Sequence, residues 1–112
     1  MPVGLSVQRD LHDGVAVVSV RGEIDQSSIE PLREALVGGS APARRTVIDL
    51  GEVSFMDSTG LNLLLDVHLA ASNDGGWVRL ANVSERVSRI LEIVGVNQVI
   101  PVYATLRLAL TA

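Results

Sequence analysis

The sequence predicts a single α/β domain: a mixed, mainly parallel sheet of about five strands that opens with an N-terminal hairpin and has helices packed against it. Three observations predict it. Turn chemistry at His12-Asp13-Gly14 separates two strand-like runs, Leu5-Ser6-Val7 and Val15 to Val20, as an antiparallel hairpin requires. Thr46-Val47-Ile48-Asp49-Leu50 is a short apolar run of the kind found in strands covered on both faces. After the hairpin, strand-length and helix-length segments alternate in the order β-β-α-β-α-β-α-β-α, which favours parallel pairing through crossover helices.

The elements follow in order. Val15-Ala16-Val17-Val18-Ser19-Val20 is a β-branched strand, and Arg21-Gly22-Glu23 closes it. Asp25 to Ser28 offers several caps for a first helix. Ser27 with Glu30 three residues on matches a capping box. With Ser28 as the cap instead, Pro31 falls in the first turn, where no N–H partner is needed. This helix is expected to reach about Val37 with Ile29, Leu32 and Leu36 inward. Gly38-Gly39 then stops it, and Ser40 to Arg44 forms a loop. After the buried strand, a second loop from Gly51 to Asp57 leads into the longest helix, Ser58 to Ser72, which ends at Asn73-Asp74-Gly75-Gly76. Trp77 to Ala81 is the next strand. Asn82 and Ser84 are cap candidates for a helix over Glu85 to Val94, stopped by Gly95. Val99-Ile100-Pro101-Val102 reads as a final edge strand and Ala104 to Leu110 as a short terminal helix.

Composition bounds the rest. The 112 residues suit one domain over residues 1–112, and two independent cores would be hard to build from them. Apolar residues make up 47% and aromatic ones 3%, so the core must be aliphatic. The net charge is −4 and Arg44-Arg45 is the only adjacent basic pair, which leaves no basic stripe for nucleic acid. The chain has no cysteine, which excludes a disulfide framework and a thiol nucleophile and fits a reducing cytosol; a cytoplasmic location is the expectation. No signal peptide and no membrane-inserting segment is expected: the longest strongly apolar stretch, Leu61 to Ala71, is broken by Asn62, Asp66 and His68. His12 and His68 match no metal spacing, and the serines lie in no Gly-x-Ser-x-Gly elbow. Without a Walker A loop or a Gly-x-Gly-x-x-Gly run, no cofactor and no enzymatic activity are expected.

The informative segment is Val53-Ser54-Phe55-Met56-Asp57-Ser58-Thr59-Gly60-Leu61, which joins a buried strand to the longest helix. Such a turn lies at the carboxyl edge of the sheet, where α/β folds bind ligands and partners. Phe55 is expected to pack beneath the loop. Ser58 reads in two compatible ways. As an N-cap, its hydroxyl accepts a bond from a first-turn N–H, worth ~1 kcal/mol. As a phosphoacceptor, it would sit where free N–H groups and the helix dipole favour an anion. Asp57 either caps the helix or orients the Ser58 hydroxyl. Asp25 either caps the first helix or lines the same surface. Thr59 reads as a structural first-turn hydroxyl, and Gly60 as a point of close backbone or partner approach.

Met56-Asp57-Ser58-Thr59-Gly60-Leu61 resembles the signature loop of STAS domains, and Gly22-Glu23-Ile24-Asp25 resembles that family's second block. The element order and Val94-Gly95-Val96 fit too, so the resemblance covers nearly the whole chain. It implies a stand-alone anti-sigma factor antagonist. In that scheme Ser58 is phosphorylated by an anti-sigma factor that is itself a serine kinase. The unphosphorylated form binds the kinase and frees a sigma factor, and a PP2C-type phosphatase restores it. The implied partner surface comprises Asp25, Met56, Asp57, Ser58, Thr59, Gly60 and Asn62. At Asn62 this chain departs from family members that often carry Gly there. The alternative the resemblance implies is a non-catalytic STAS subunit of a lipid transporter or of a larger signalling assembly.

Overall fold

The computed structural model describes residues 4–37 and 44–112. The elements are β1 (Ser6–His12), β2 (Val15–Ile24), α1 (Glu30–Val37), β3 (Arg45–Met56), α2 (Ser58–Asn73), β4 (Trp77–Ala81), α3 (Glu85–Val94), a 3₁₀ turn (Val96–Gln98), β5 (Val102–Tyr103) and α4 (Leu106–Thr111). They form one five-stranded sheet in the order β1-β2-β3-β4-β5. β1 pairs antiparallel with β2, and the later pairs are all parallel. The predicted mixed sheet with an opening hairpin is therefore what forms. Its turn is Asp13-Gly14, with φ 51° and 82°, the left-handed pair that matches strand twist in a two-residue hairpin.

The main core lies between the sheet and α1, α2 and α3. Val18, Val20, Ile48, Leu50, Val78 and Leu80 from the strands meet Leu32, Leu36, Leu64, Val67, Val87 and Leu91 from the helices. Each fully buried aliphatic side chain there contributes about 1.5–3 kcal/mol of transfer free energy. A smaller cluster on the opposite face joins Val15, Val47 and Ala81 to Ala109 of α4. Arg79 ties this helix down: its guanidinium lies 3.7 Å from the Trp77 ring centroid and donates to Ala109 O at 2.9 Å.

Several boundaries differ from expectation. β1 extends to His12 rather than ending at Val7, since it is an edge strand whose residues beyond Val7 are exposed and carry no apolar alternation. The expected loop over Gly51 to Asp57 is mostly strand: β3 runs on to Met56 beside Arg21, Gly22, Glu23 and Ile24 of β2, which does not close at Val20. The register between the two slips twice, at Ser19/Arg21 and at Gly22/Glu23. Each slip leaves an extra residue on β3, so the buried positions step Ile48, Leu50, Val53, Met56 and the period of two is lost. The final strand is Val102–Tyr103, because Val96–Gln98 winds into a 3₁₀ turn and Pro101 contributes only a carbonyl, bonded by Leu80 N–H at 2.9 Å. The terminal helix starts two residues later than expected, behind the Thr105 cap. The Gly38-Gly39 stop and the loop after it lie outside the described residues, apart from Arg44. Among the described residues no helix is long and apolar enough to cross a membrane.

Candidate functional site

Met56 ends β3 and α2 begins two residues later, so one extended residue, Asp57, turns the chain. Its φ of −96° and ψ of −173° place its carboxylate over the helix mouth, where Oδ1 accepts from Thr59 N–H at 2.9 Å and Gly60 N–H at 3.2 Å. The other oxygen, Oδ2, accepts from Gln26 N–H at 3.2 Å. Its own N–H donates to Ile24 O at 3.0 Å. Asp57 is therefore the cap of α2 and also the fastening between α2 and the turn before α1.

This corrects the reading of Ser58 as an N-cap. Ser58 is the first residue inside the helix, it is exposed, and among the described residues its hydroxyl makes no hydrogen bond. The capping role that would have occupied that oxygen is filled by the residue before it. The expectation that free N–H groups at the helix start favour an anion is narrowed for the same reason: Asp57 takes those of Thr59 and Gly60. What remains for a negative group at Ser58 is its own N–H, which has no acceptor among the described residues, together with the helix dipole and open solvent.

Met56 and Gly60 lie beneath the surface instead of on it. Met56 is 1% exposed. A Cβ on Gly60 would stand 2.6 Å from Met56 Cγ and 2.7 Å from Ile24 Cγ2, so glycine lets α2 seat directly on these core side chains. Gly60 thus serves close approach within the domain, and both predicted partner contacts become the floor of the site. Thr59 is half-buried, whereas Asn62 is exposed one turn along from Ser58, on the same helix face. Phe55, expected to pack, is 42% exposed. The reason is the extension of β3: adjacent strand residues point to opposite faces, so a buried Met56 sends Phe55 outward. No period-two pattern announced this in the sequence, because the register slip between Val53 and Phe55 breaks the alternation just before it.

Asp25 stands at the neighbouring turn. Its Oδ1 accepts from Ser27 N–H and Ser28 N–H, each at 3.0 Å, and from Ser27 Oγ at 2.7 Å. Ser28 Oγ, with one hydrogen to donate, has three acceptors in reach: Glu23 O at 2.7 Å, the same Asp25 oxygen at 3.0 Å and Asp25 O at 3.4 Å. The Ser27 hydroxyl first, and then that of Ser28, hold the Asp25 carboxyl below its ordinary range. The predicted capping box therefore does not form: both serines are drawn to Asp25, which organises a turn over residues 25–28, and α1 starts only at Glu30. The Gln26–Asp57 bond brings this turn against the α2 mouth, so Gln26, which sequence reasoning did not single out, links the two blocks. Among the described residues no group of three or more His, Cys, Asp or Glu is placed to hold a metal ion.

The chain is similar to known proteins along nearly its whole length. The sequence model of the STAS domain matches residues 6–109. The anti-sigma-B factor antagonist of Bacillus subtilis (strain 168) is 35% identical over 104 residues, which cover 93% of this chain and 94% of that protein. The anti-sigma F factor antagonist of Paenibacillus polymyxa is 29% identical over 105 residues, covering 90% of this chain and 88% of that one. Among solved structures, an anti-sigma factor antagonist from Mycobacterium paratuberculosis superposes with a TM-score of 0.85 at 32% identity, over 96% of this chain and 92% of its own.

Proposed function

The chain belongs to the STAS domain family, and from that premise we propose that it is a non-catalytic anti-sigma factor antagonist switched by phosphorylation of Ser58. The observation that carries the proposal is an exposed serine hydroxyl in the first turn of α2, left unbonded because Asp57 holds the cap. The unphosphorylated protein binds an anti-sigma factor serine kinase through the surface around Ser58, with Thr59, Asn62 and the Asp25–Ser27 turn beside it, and so releases a sigma factor. Phosphate adds about −1.5 to −2 charges. It lands next to the Asp57 carboxylate, at the point a partner must desolvate. Like charges and an unpaired dianion at an interface cost several kcal/mol, and each 1.4 kcal/mol is about tenfold in affinity. The switch acts at the docking surface, and α2 stays folded because its cap is not the modified residue. A PP2C-type phosphatase returns the protein to the binding form.

The test is to incubate the protein with candidate anti-sigma kinases and ATP, map the phosphate, and measure kinase binding of both forms. Phosphate on Ser58, transfer abolished in Ser58→Ala with binding retained, and weakened binding in Ser58→Asp are expected. Phosphate on Thr59, or binding that does not change when Ser58 is phosphorylated, overturns the proposal. Hydrogen exchange separates the interface mechanism from a rearranged helix: amides of residues 61–69 stay protected on phosphorylation if the interface account is right.

A further inference from the structure

We propose that the open face of the sheet carries a second site, for a small organic cation bearing hydroxyl groups, on the side away from α1, α2 and α3. In-register pairing sets Gln8, Ser19 and Asp49 side by side across β1, β2 and β3. Paired neighbours project to one face of a sheet. It is the face that α4 covers further down, around Val15, Val47 and Ala81. Beyond the reach of α4 this polar row floors a cleft of about 410 Å³, also lined by Gly51, Asn82 and the Arg21–Glu52 ion pair. That volume lies within the range of roughly 300–1,000 Å³ typical of small-ligand sites.

The chemistry of the lining selects the ligand. Asp49 is half-buried in the central strand, at a position the sequence read as covered on both faces. Among the described residues its carboxylate accepts one hydrogen bond, from Gly51 N–H to Oδ1 at 2.9 Å, so Oδ2 has no protein donor. A Cβ on Gly51 would stand 2.5 Å from Asn82 Nδ2 and 3.1 Å from Asp49 Oδ1. Glycine there lets an amide and a carboxylate converge. Asn82 holds a left-handed φ of 61°, which sets its side chain at the cleft, and among the described residues neither its amide nor the Ser19 hydroxyl makes a side-chain hydrogen bond. Arg21 is neutralised by Glu52. The unpaired charge is that of Asp49, and it is negative. An ammonium group meets Asp49 Oδ2, and hydroxyls of the same ligand meet Ser19, Asn82 and the amide of Gln8, whose Nε2 also donates to Asp10 Oδ2 at 3.4 Å. A phosphorylated ligand finds no free cation among these groups.

One sugar scaffold in three charge states tests this. Glucosamine, glucose and glucose 6-phosphate are titrated into the ¹⁵N-labelled full chain at a pH where the amine is protonated, and the amide shifts of Ser19, Gly51 and Asn82 are followed. Saturable shifts with glucosamine, several-fold weaker binding of glucose and none of glucose 6-phosphate are expected. Asp49→Asn, which keeps an acceptor for Gly51 N–H, is expected to erase the preference for glucosamine over glucose. Gln8→Ala, at the exposed edge strand, is expected to weaken both sugars without unfolding risk. No saturable shift with glucosamine up to tens of millimolar, tighter binding of the phosphate, or an unchanged preference in Asp49→Asn overturns the proposal. None of these outcomes depends on Ser58.

Discussion

Two helices of this domain begin with a serine near their N-termini, and the two serines do opposite things. Ser84 is the cap of α3: its Oγ accepts from Val87 N–H at 3.4 Å and donates to Val53 O at 3.3 Å, so the hydroxyl is committed to holding α3 against β3. Ser58 sits one position further in on α2, behind Asp57, and its hydroxyl is committed to nothing among the described residues. The difference is one residue of register relative to the cap. A carboxylate placed before a serine takes over the structural duty and leaves the hydroxyl without one. A change at Ser58 therefore leaves the cap of α2 in place.

The most severe way to break the α2 mouth is to change what lies under it. Gly60→Ala gains helix propensity of up to about 1 kcal/mol, yet its Cβ enters contacts with Met56 and the β-branched Ile24, which are 1% and 0% exposed and have nowhere to retreat. Overpacking wins, and a net loss of about 1–3 kcal/mol is expected in urea unfolding. An unchanged midpoint would mean that the helix seat is looser than the distances imply.

Asp57→Ala comes next. It removes the acceptor for Thr59 and Gly60 and unfastens Gln26 in the same step. Cap loss of about 1–2 kcal/mol is expected, together with faster exchange of the Gln26 amide. Faster exchange at Thr59 and Gly60 with Gln26 unmoved would show that the turn before α1 does not depend on the carboxylate.

The paired serine test is the direct one. Ser84→Ala is expected to cost about 1 kcal/mol, as removal of a working cap does, whereas Ser58→Ala is expected to stay within about 0.5 kcal/mol, as surface substitutions do. Equal losses at the two positions would contradict the division of labour between them.

Much of this contrast was legible in the residues, and the part that was not has a physical cause. Gly95, in a left-handed φ of 85°, and Ser84 mark α3 because caps are local. The Asp-Gly turn marks the hairpin for the same reason. The α2 mouth was ambiguous because Asp57 and Ser58 are both good caps and adjacent; only the backbone, extended at Asp57 and helical after it, decides which side chain reaches the N–H groups. Phe55 and the upper half of β3 were lost because two bulges break the alternation on which strand recognition rests. Asp49 was read as buried because the strand is apolar on both sides of it, and nothing local announces that α4 is too short to cover that face. Asp25 kept both its readings open in the sequence; the cap reading fails, because its bonds to Ser27 and Ser28 organise the turn over residues 25–28 while α1 starts only at Glu30.

The smallest expected effect lies at that last turn. The Asp25 carboxyl is held below the ordinary carboxylate range by the Ser27 and Ser28 bonds. A depressed carboxyl stabilises the fold at any pH above its unfolded value, and the contribution is lost as pH falls through the folded one. Asp25→Asn keeps an acceptor but not the charge. The gap in urea midpoint between the natural chain and this variant is therefore expected to be flat above about pH 5 and to close on further acidification. Since these bonds lie near the surface and compete with water, the gap is small beside that of Asp57→Ala. A gap that widens in acid would mean that the neutral carboxyl, donating to Ser28 or Glu23, is the form the turn prefers, and the organisation of residues 25–28 would have to be redrawn around a donor.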